Sequence, residues 1–234
     1  DEIAFDILLN KESKRIKKDL DTNIKIDEII NQFRTNKLKL EKNNYRLAYR
    51  DVGGATNERT MIATIIPPNY YSVNTIIHLL NYQYSLKSGE IIQIKNDYGL
   101  ISFLTAILNS LVINFYMRSK ISSHSSMFKV YELPIPDVDE NILKIINKKS
   151  FNLLYHFSEK ELYEDLRKDL GFEIEKINPI KERAELEVII AQKLFKLDKE
   201  DWEYLCSTFI YGGDSETKKE LDRIIDHSKK IFKT

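Results

Sequence analysis

The stretch that decides the fold runs from Arg46 to Pro68, RLAYRDVGGATNERTMIATIIPP. Tyr45, Leu47 and Tyr49 alternate with Arg46, Ala48 and Arg50, the period-two pattern of a half-buried strand. Gly53-Gly54 breaks the pattern into a loop. Arg59 to Ile66 then reads as a second, buried strand, and Pro67-Pro68 ends it because proline brings no backbone donor. The polar turn between the strands gathers Arg50, Thr56, Asn57, Arg59 and Thr60, just after Arg46. These residue types suit DNA: Arg reads guanine bidentately, Asn reads adenine, and Thr and backbone amides hold phosphate. They equally suit a local role, in which an Arg50–Asp51 pair organises the loop and Thr56 and Asn57 make side-chain turns.

Outward from this stretch, Val73 to Leu80 and Ile91 to Lys95 are further strand candidates. Met127 to Leu133 alternates again and runs into LPIP, whose two prolines hold the chain extended. Between Asp97 and Arg118 no residue is charged, a length that would suit a membrane span. Ser102, Thr105, Asn109, Ser110 and Asn114 interrupt it, so a pair of buried helices is expected, with Asn109 or Ser110 capping the second. Arg118, Lys120, Ser122 and His124 follow in a basic, hydroxyl-rich loop. That loop suits phosphate contact, or simply lets Arg118 and Lys120 offset the helix C-terminal dipole.

Residues 1–44 are polar and helix-prone, a lead-in with one helix over about 27–37. After Asp137 the texture turns helical. Asp139 starts a helix to about Phe157, Ser158 and Glu161 form a capping box, and Gly171 closes the next helix. Asn178-Pro179 pairs an N-cap with proline at the first helical position. Asp198 begins a short helix, Gly212-Gly213 breaks the chain, and a last helix runs from about Ser215 to Phe232. The expected architecture is α+β: lead-in 1–44, a mixed α/β module over 45–136, and a helical subdomain over 137–234.

Formal net charge is zero, which excludes a strong polycation, but its distribution is uneven. The three parts carry +1, +3 and −4, so the sparse charges of the middle module are mostly basic. One cysteine, Cys206, excludes an intrachain disulfide and a cysteine zinc site, and a reducing cytoplasm fits. The chain begins with Asp1 and shows no signal peptide, as expected of a fragment of a longer polypeptide or a processed chain. There is no Gly-rich phosphate loop, HExxH or GxSxG, and His78, His124, His156 and His227 are scattered. Two carboxylate–lysine groups, Asp6 with Glu12 and Lys14, and Asp169 with Glu173, Glu175 and Lys176, have the residue types of a metal-dependent nuclease. At this charge density such spacings also arise by chance.

Four blocks together resemble the C-terminal target-recognition region of type IIG-like restriction–modification enzymes, whose adenine-N6 methyltransferase core precedes it. They are Arg46 to Pro68, ILNSLVINFYMR (Ile107 to Arg118), ELPIP (Glu132 to Pro136) and RAELEVIIAQKLFKLDKEDWEYLCSTF (Arg183 to Phe209). Phe195-Lys196 departs from the Tyr-Gly usual in the last block. The resemblance implies a module that lies along double-stranded DNA and selects the target, with bases read by loops such as 69–75, 82–98 and 119–127. It implies that S-adenosylmethionine, and Mg2+ where the parent also cleaves, belong to a methyltransferase part on the same polypeptide or a partner subunit. Pro67-Pro68-Asn69-Tyr70 is not that enzyme's base-holding motif, which places Asn before the prolines. The expected role is therefore sequence-specific DNA recognition without catalysis in this chain. A stand-alone nuclease and a protein-interaction module, docking through the acidic helical part, are the alternatives.

Overall fold

β1 (Arg46–Arg50) forms where the alternation places it, in the middle of a three-stranded antiparallel sheet between β2 (Ala63–Ile66) and β3 (Ile76–Leu79). The computed structural model describes residues 2–121 and 124–233, and the described chain is α+β. Leu47 sits opposite Ile65 on one side and Leu79 on the other. Tyr45, Leu47 and Tyr49 enter the main core, but Arg46 and Ala48 are buried too, so the strand is covered on both faces rather than one. The second face is closed by the segment after Pro68: Arg46 Nη2 donates to Tyr70 O at 2.5 Å, and Ser72 Oγ lies 2.6 Å from His78 Nε2.

The second expected strand, Arg59 to Ile66, is strand only from Ala63. Of its first part, only Ile62 O still joins the ladder, accepting from Arg50 N, while Met61 N donates to the Asn114 side chain. Likewise Val73–Leu80 narrows to β3, with Asp51 N donating to Thr75 O at 2.9 Å just beyond the strand in the same register. Residues 82–98, expected as a reading loop, contain a hairpin: β4 (Tyr82–Lys87) pairs with β5 (Glu90–Lys95). Ser88 and Gly89 both take positive φ, 52° and 81°, the mirror-image turn whose twist suits a two-residue hairpin. Ile91 and Tyr84 pack on α1 (Glu2–Asp19) and α2 (Ile26–Arg34), through Leu9, Ile16, Ile29 and Phe33. The lead-in is thus a helical hairpin with its own small core. Its second helix stops at Arg34, where Asn36 turns left-handed (φ 58°).

The uncharged stretch is α3 (Tyr98–Asn109) and α4 (Leu111–Lys120), bent 63° at Ser110. Ser110 Oγ accepts from Ile113 N and so caps α4. Ile107, Leu108, Leu111 and Ile113 are at most 1% exposed, so the apolar length fills the core. Among the described residues no single helix is long and apolar enough to cross a membrane. Met127 to Leu133, expected as a strand from its alternation, is instead the short helix α5 (Met127–Tyr131). β1 already has a partner on each side, and Val130 N donates to Ser126 O. Only Val130 is buried; Phe128 is 81% exposed.

α6 (Glu140–Phe157) starts at Asp139 as its carboxylate accepts from Asn141 N and Ile142 N. The expected capping box is not formed. Ser158 ends α6 in extended geometry, residues 160–163 make a 3-10 turn, and α7 (Glu164–Leu170) begins at Glu164. Tyr163 is drawn into the core there, its hydroxyl donating to Ile65 O at 2.7 Å. Gly171 closes α7 in the left-handed region. α8 (Pro179–Ile189) is capped by Asn178 and runs into a π-type turn at residues 190–194. α9 (Lys199–Ser207) and α10 (Glu216–Ile231) start at Asp198 and Ser215. They build a second core on α4 and α8, with Trp202 stacked on Phe232 at 5.6 Å. Cys206 is buried in it, and burial pushes its thiol up to about 12.

Candidate functional site

The loop from Asp51 to Ile62 is built from its own polar residues inward. Arg50 N donates to Ile62 O at 2.9 Å, and Arg50 Nη2 spans the loop to Arg59 O at 2.8 Å. Gly53 is required at the pinch, since a Cβ there would lie 2.7 Å from Thr60 O. Thr60 is fully buried, with Gly54 O as its acceptor at 3.4 Å. Arg59 is tied to the end of α3: its Nη2 donates to Asn109 O at 2.8 Å and to Asn109 Oδ1 at 2.9 Å. Burial, and then the neighbouring Arg183, lower its pKa to about 9. It therefore stays charged at neutral pH, but at a desolvation cost.

Asn109 is the hub of this site. Its side-chain amide bonds Ala63 in both directions, Nδ2 to Ala63 O at 2.7 Å and Oδ1 from Ala63 N at 3.1 Å. A neighbouring strand would make the same two bonds. β2 is an edge strand, and here one side chain covers the edge. Asn114 does likewise one step earlier, accepting from Met61 N at 2.9 Å. Asn109 O also accepts from Arg183 Nη2 at 2.5 Å. Arg183 Nε is 2.7 Å from Glu187 Oε1, and Glu187 Oε2 accepts from Leu111 N at 2.7 Å. Glu187 is 1% exposed, so this carboxylate serves as partner to Arg183 and as cap to α4.

The second sequence cluster meets the first here. Arg118 Nη2 donates to Asn57 O and Glu58 O, both at 3.1 Å, and Nη1 to Thr208 O at 3.0 Å. Its guanidinium lies 4.5 Å from the Phe209 ring centroid and 5.5 Å from that of Tyr211. Burial lowers its pKa. Glu58 accepts from Ser215 Oγ, which ties the loop to the start of α10. His124 Nδ1 is 3.1 Å from Asp51 Oδ2, and His124 bridges to Val52.

Of the ten residues singled out, Arg46, Arg59 and Thr60 are turned into the scaffold, and Arg50 and Arg118 are half-buried braces. Thr56, Asn57, Lys120 and His124 are exposed. Ser122 lies outside the described residues. The Arg50–Asp51 pair does not form; Arg50 bonds a carbonyl and Asp51 faces His124. Asn109, Asn114, Arg183 and Glu187 were not recognised as site residues. Arg183 and Glu187 are four apart on a helix, a spacing that announces a side-chain pair but not where it points.

The nuclease-type groups are not assembled. Asp6 pairs with Arg34 at 3.0 Å, Glu12 with Arg15 at 2.5 Å and Glu175 with Lys148 at 2.6 Å. Among the described residues no three His, Cys, Asp or Glu side chains gather as a metal site would need.

Behind the loop a cleft of about 820 Å³ opens between β2, α3, the end of α6, α8 and α10. Arg50 and Arg59 line it from β1 and the loop, and Leu153, Leu154, Arg183 and Leu221 from the helices. A scan against protein-family models gives no match to this chain, and neither does a search of curated proteins or of solved structures.

Proposed function

We propose that this chain is the DNA-recognition part of a restriction–modification protein of the type its sequence resembles. One observation carries the reading. Arg118 ties residues 57 and 58 to the end of α4 and His124 meets Asp51, so two segments some sixty residues apart are held together, and Thr56, Asn57, Lys120 and His124 are exposed on them. Those are residues able to hold phosphate and read base edges, and they stand on a braced loop rather than a floppy one. The buried arginines act as supports for these segments, not as readers. The methyl donor and any cleavage metal would belong to a methyltransferase part elsewhere.

The test is selection of bound duplexes from a randomised pool by the full chain, with anisotropy titrations over a salt series. Expected are an enriched motif, affinity that falls steeply with salt, and a relaxed motif in Asn57→Ala and His124→Ala. Recovery of no motif, with no salt-dependent binding, would sink the proposal.

A docking role beside this one is favoured by α1, where Ile3 and Ile7 are 75% and 63% exposed on a helix whose other face is buried. Ile3→Asp with Ile7→Asp should leave DNA selection by the isolated chain unchanged while weakening its association with a methyltransferase part. Unaltered association would remove this second role.

A further inference from the structure

We infer that the cleft behind the loop binds a small organic monoanion with an aliphatic body, a medium-chain carboxylate in its simplest form. At about 820 Å³ the space falls in the range of small-molecule sites and far exceeds a packing defect. Its lining is divided. Ile62, Leu153, Leu154, Leu186 and Leu221 give a mostly aliphatic wall, and Phe157 is the one aromatic side chain among the described residues lining the cleft. Arg50 and Arg59 stand opposite.

Neither guanidinium makes a close ion pair among the described residues, although Glu187 and Glu220 favour the charge of Arg59 from farther off. Arg50 donates to a carbonyl, and Arg59 to a carbonyl and an amide oxygen. The buried Nε of each has no partner among the described residues. The carboxylates nearby are committed elsewhere: Glu187 to Arg183 and Leu111 N, Glu58 to Ser215. A partly desolvated cation with no carboxylate in contact raises the free energy of the empty site, and a carboxylate placed in the planar fork would lower it. Glu220, the remaining acidic residue of the lining, opposes a second negative charge on the ligand. A monoanion is therefore favoured over a dianionic phosphate. This site does not depend on DNA recognition and is tested without DNA.

The experiment is calorimetric titration of the full chain with octanoate, octanol, octylamine and inorganic phosphate. Octanoate should bind at one saturable site with Kd of about 1 mM or tighter, and the other three at least about ten-fold more weakly. Arg50→Met should cost at least about ten-fold in octanoate affinity, the loss of one charge-assisted contact. Leu154→Trp, which fills the aliphatic side, should abolish binding; circular dichroism and urea midpoints establish that both variants are folded. Should Arg50→Met not fold, Leu154→Trp and the octanol comparison decide. Absence of octanoate binding, octanol or phosphate binding as tightly as octanoate, or octanoate binding unaffected by Leu154→Trp would each overturn the inference.

Discussion

Asn109→Ala is the substitution that most directly tests how this site is held. Asn109 is 9% exposed, and its amide supplies both partners of Ala63 at the free edge of β2. Truncation removes both side-chain partners of Ala63 N–H and C=O at the wall of the cleft, and takes one of the two acceptors from Arg59. Each stranded backbone group costs about 1–3 kcal/mol, because its water was given up and nothing replaces it. Two such groups and a weakened charged bond amount to about 3–5 kcal/mol, a large share of the about 5–15 kcal/mol of a typical domain. With m of about 3 kcal/mol/M, the urea midpoint should fall by about 1–2 M. Equilibrium urea unfolding followed by tryptophan fluorescence measures it, Trp202 being the single reporter. Asn114→Ala, which strands only Met61 N, should cost less than Asn109→Ala. A loss below about 1 kcal/mol for Asn109→Ala would mean that water or a shifted Arg59 satisfies Ala63, and the hub argument would fail.

Three further outcomes follow from the same geometry. The buried Tyr49 hydroxyl has no partner among the described residues, and burial pushes its pKa up to about 12. Tyr49→Phe should therefore be neutral or stabilising near pH 7. The folded state keeps this proton between pH 10 and 12 while the unfolded chain loses it, so stability drops as pH rises through that window. Tyr49→Phe should remove about 1 kcal/mol of the drop between pH 9 and 11, read from urea midpoints at the two pH values. Arg118→Met should release the loop at Asn57 and Glu58 from the helical subdomain, costing about 2–3 kcal/mol and raising amide exchange across residues 54–60. An unchanged exchange pattern would show that Glu58 and Ser215 suffice. Cys206, buried with a raised pKa, should resist a disulfide reagent at pH 8 in the folded chain and react once urea unfolds it; rapid reaction without denaturant would contradict its packing.

Much of the fold was legible because its signals are local. Asp97, Ser110, Asp139, Asn178, Asp198 and Ser215 each cap the helix they precede, through one side-chain oxygen and an amide two or three residues on. The alternation over 45–50 marked β1, and the polar interruptions of the long apolar stretch marked a bent pair of core helices. Local signals failed where tertiary partners decided. Met127 to Leu133 has strand alternation but pairs with no strand and forms a short helix instead. Ser158 and Glu161 have capping-box spacing, but Tyr163 is pulled towards Ile65 and tightens the turn. Residues 82–87 do carry a strand pattern, Tyr82, Tyr84 and Leu86 alternating with polar residues, but only their pairing with 90–95 over the two N-terminal helices makes them a hairpin rather than a reading loop.

The sequence by itself determined where most elements begin and end, which segments are apolar enough to be core, and that Arg, Asn and Thr crowd the turn after β1. Those properties depend on neighbours within a few residues. Only the tertiary structure decided which way each polar side chain faces. Arg46 and Arg59 read like surface contacts and are supports, while Asn109 and Asn114 read like interruptions in a helix and bind the edge of β2. The reason is physical: a buried backbone group or guanidinium must find a partner wherever the fold brings one, and those partners lie 24 to 53 residues away in the chain.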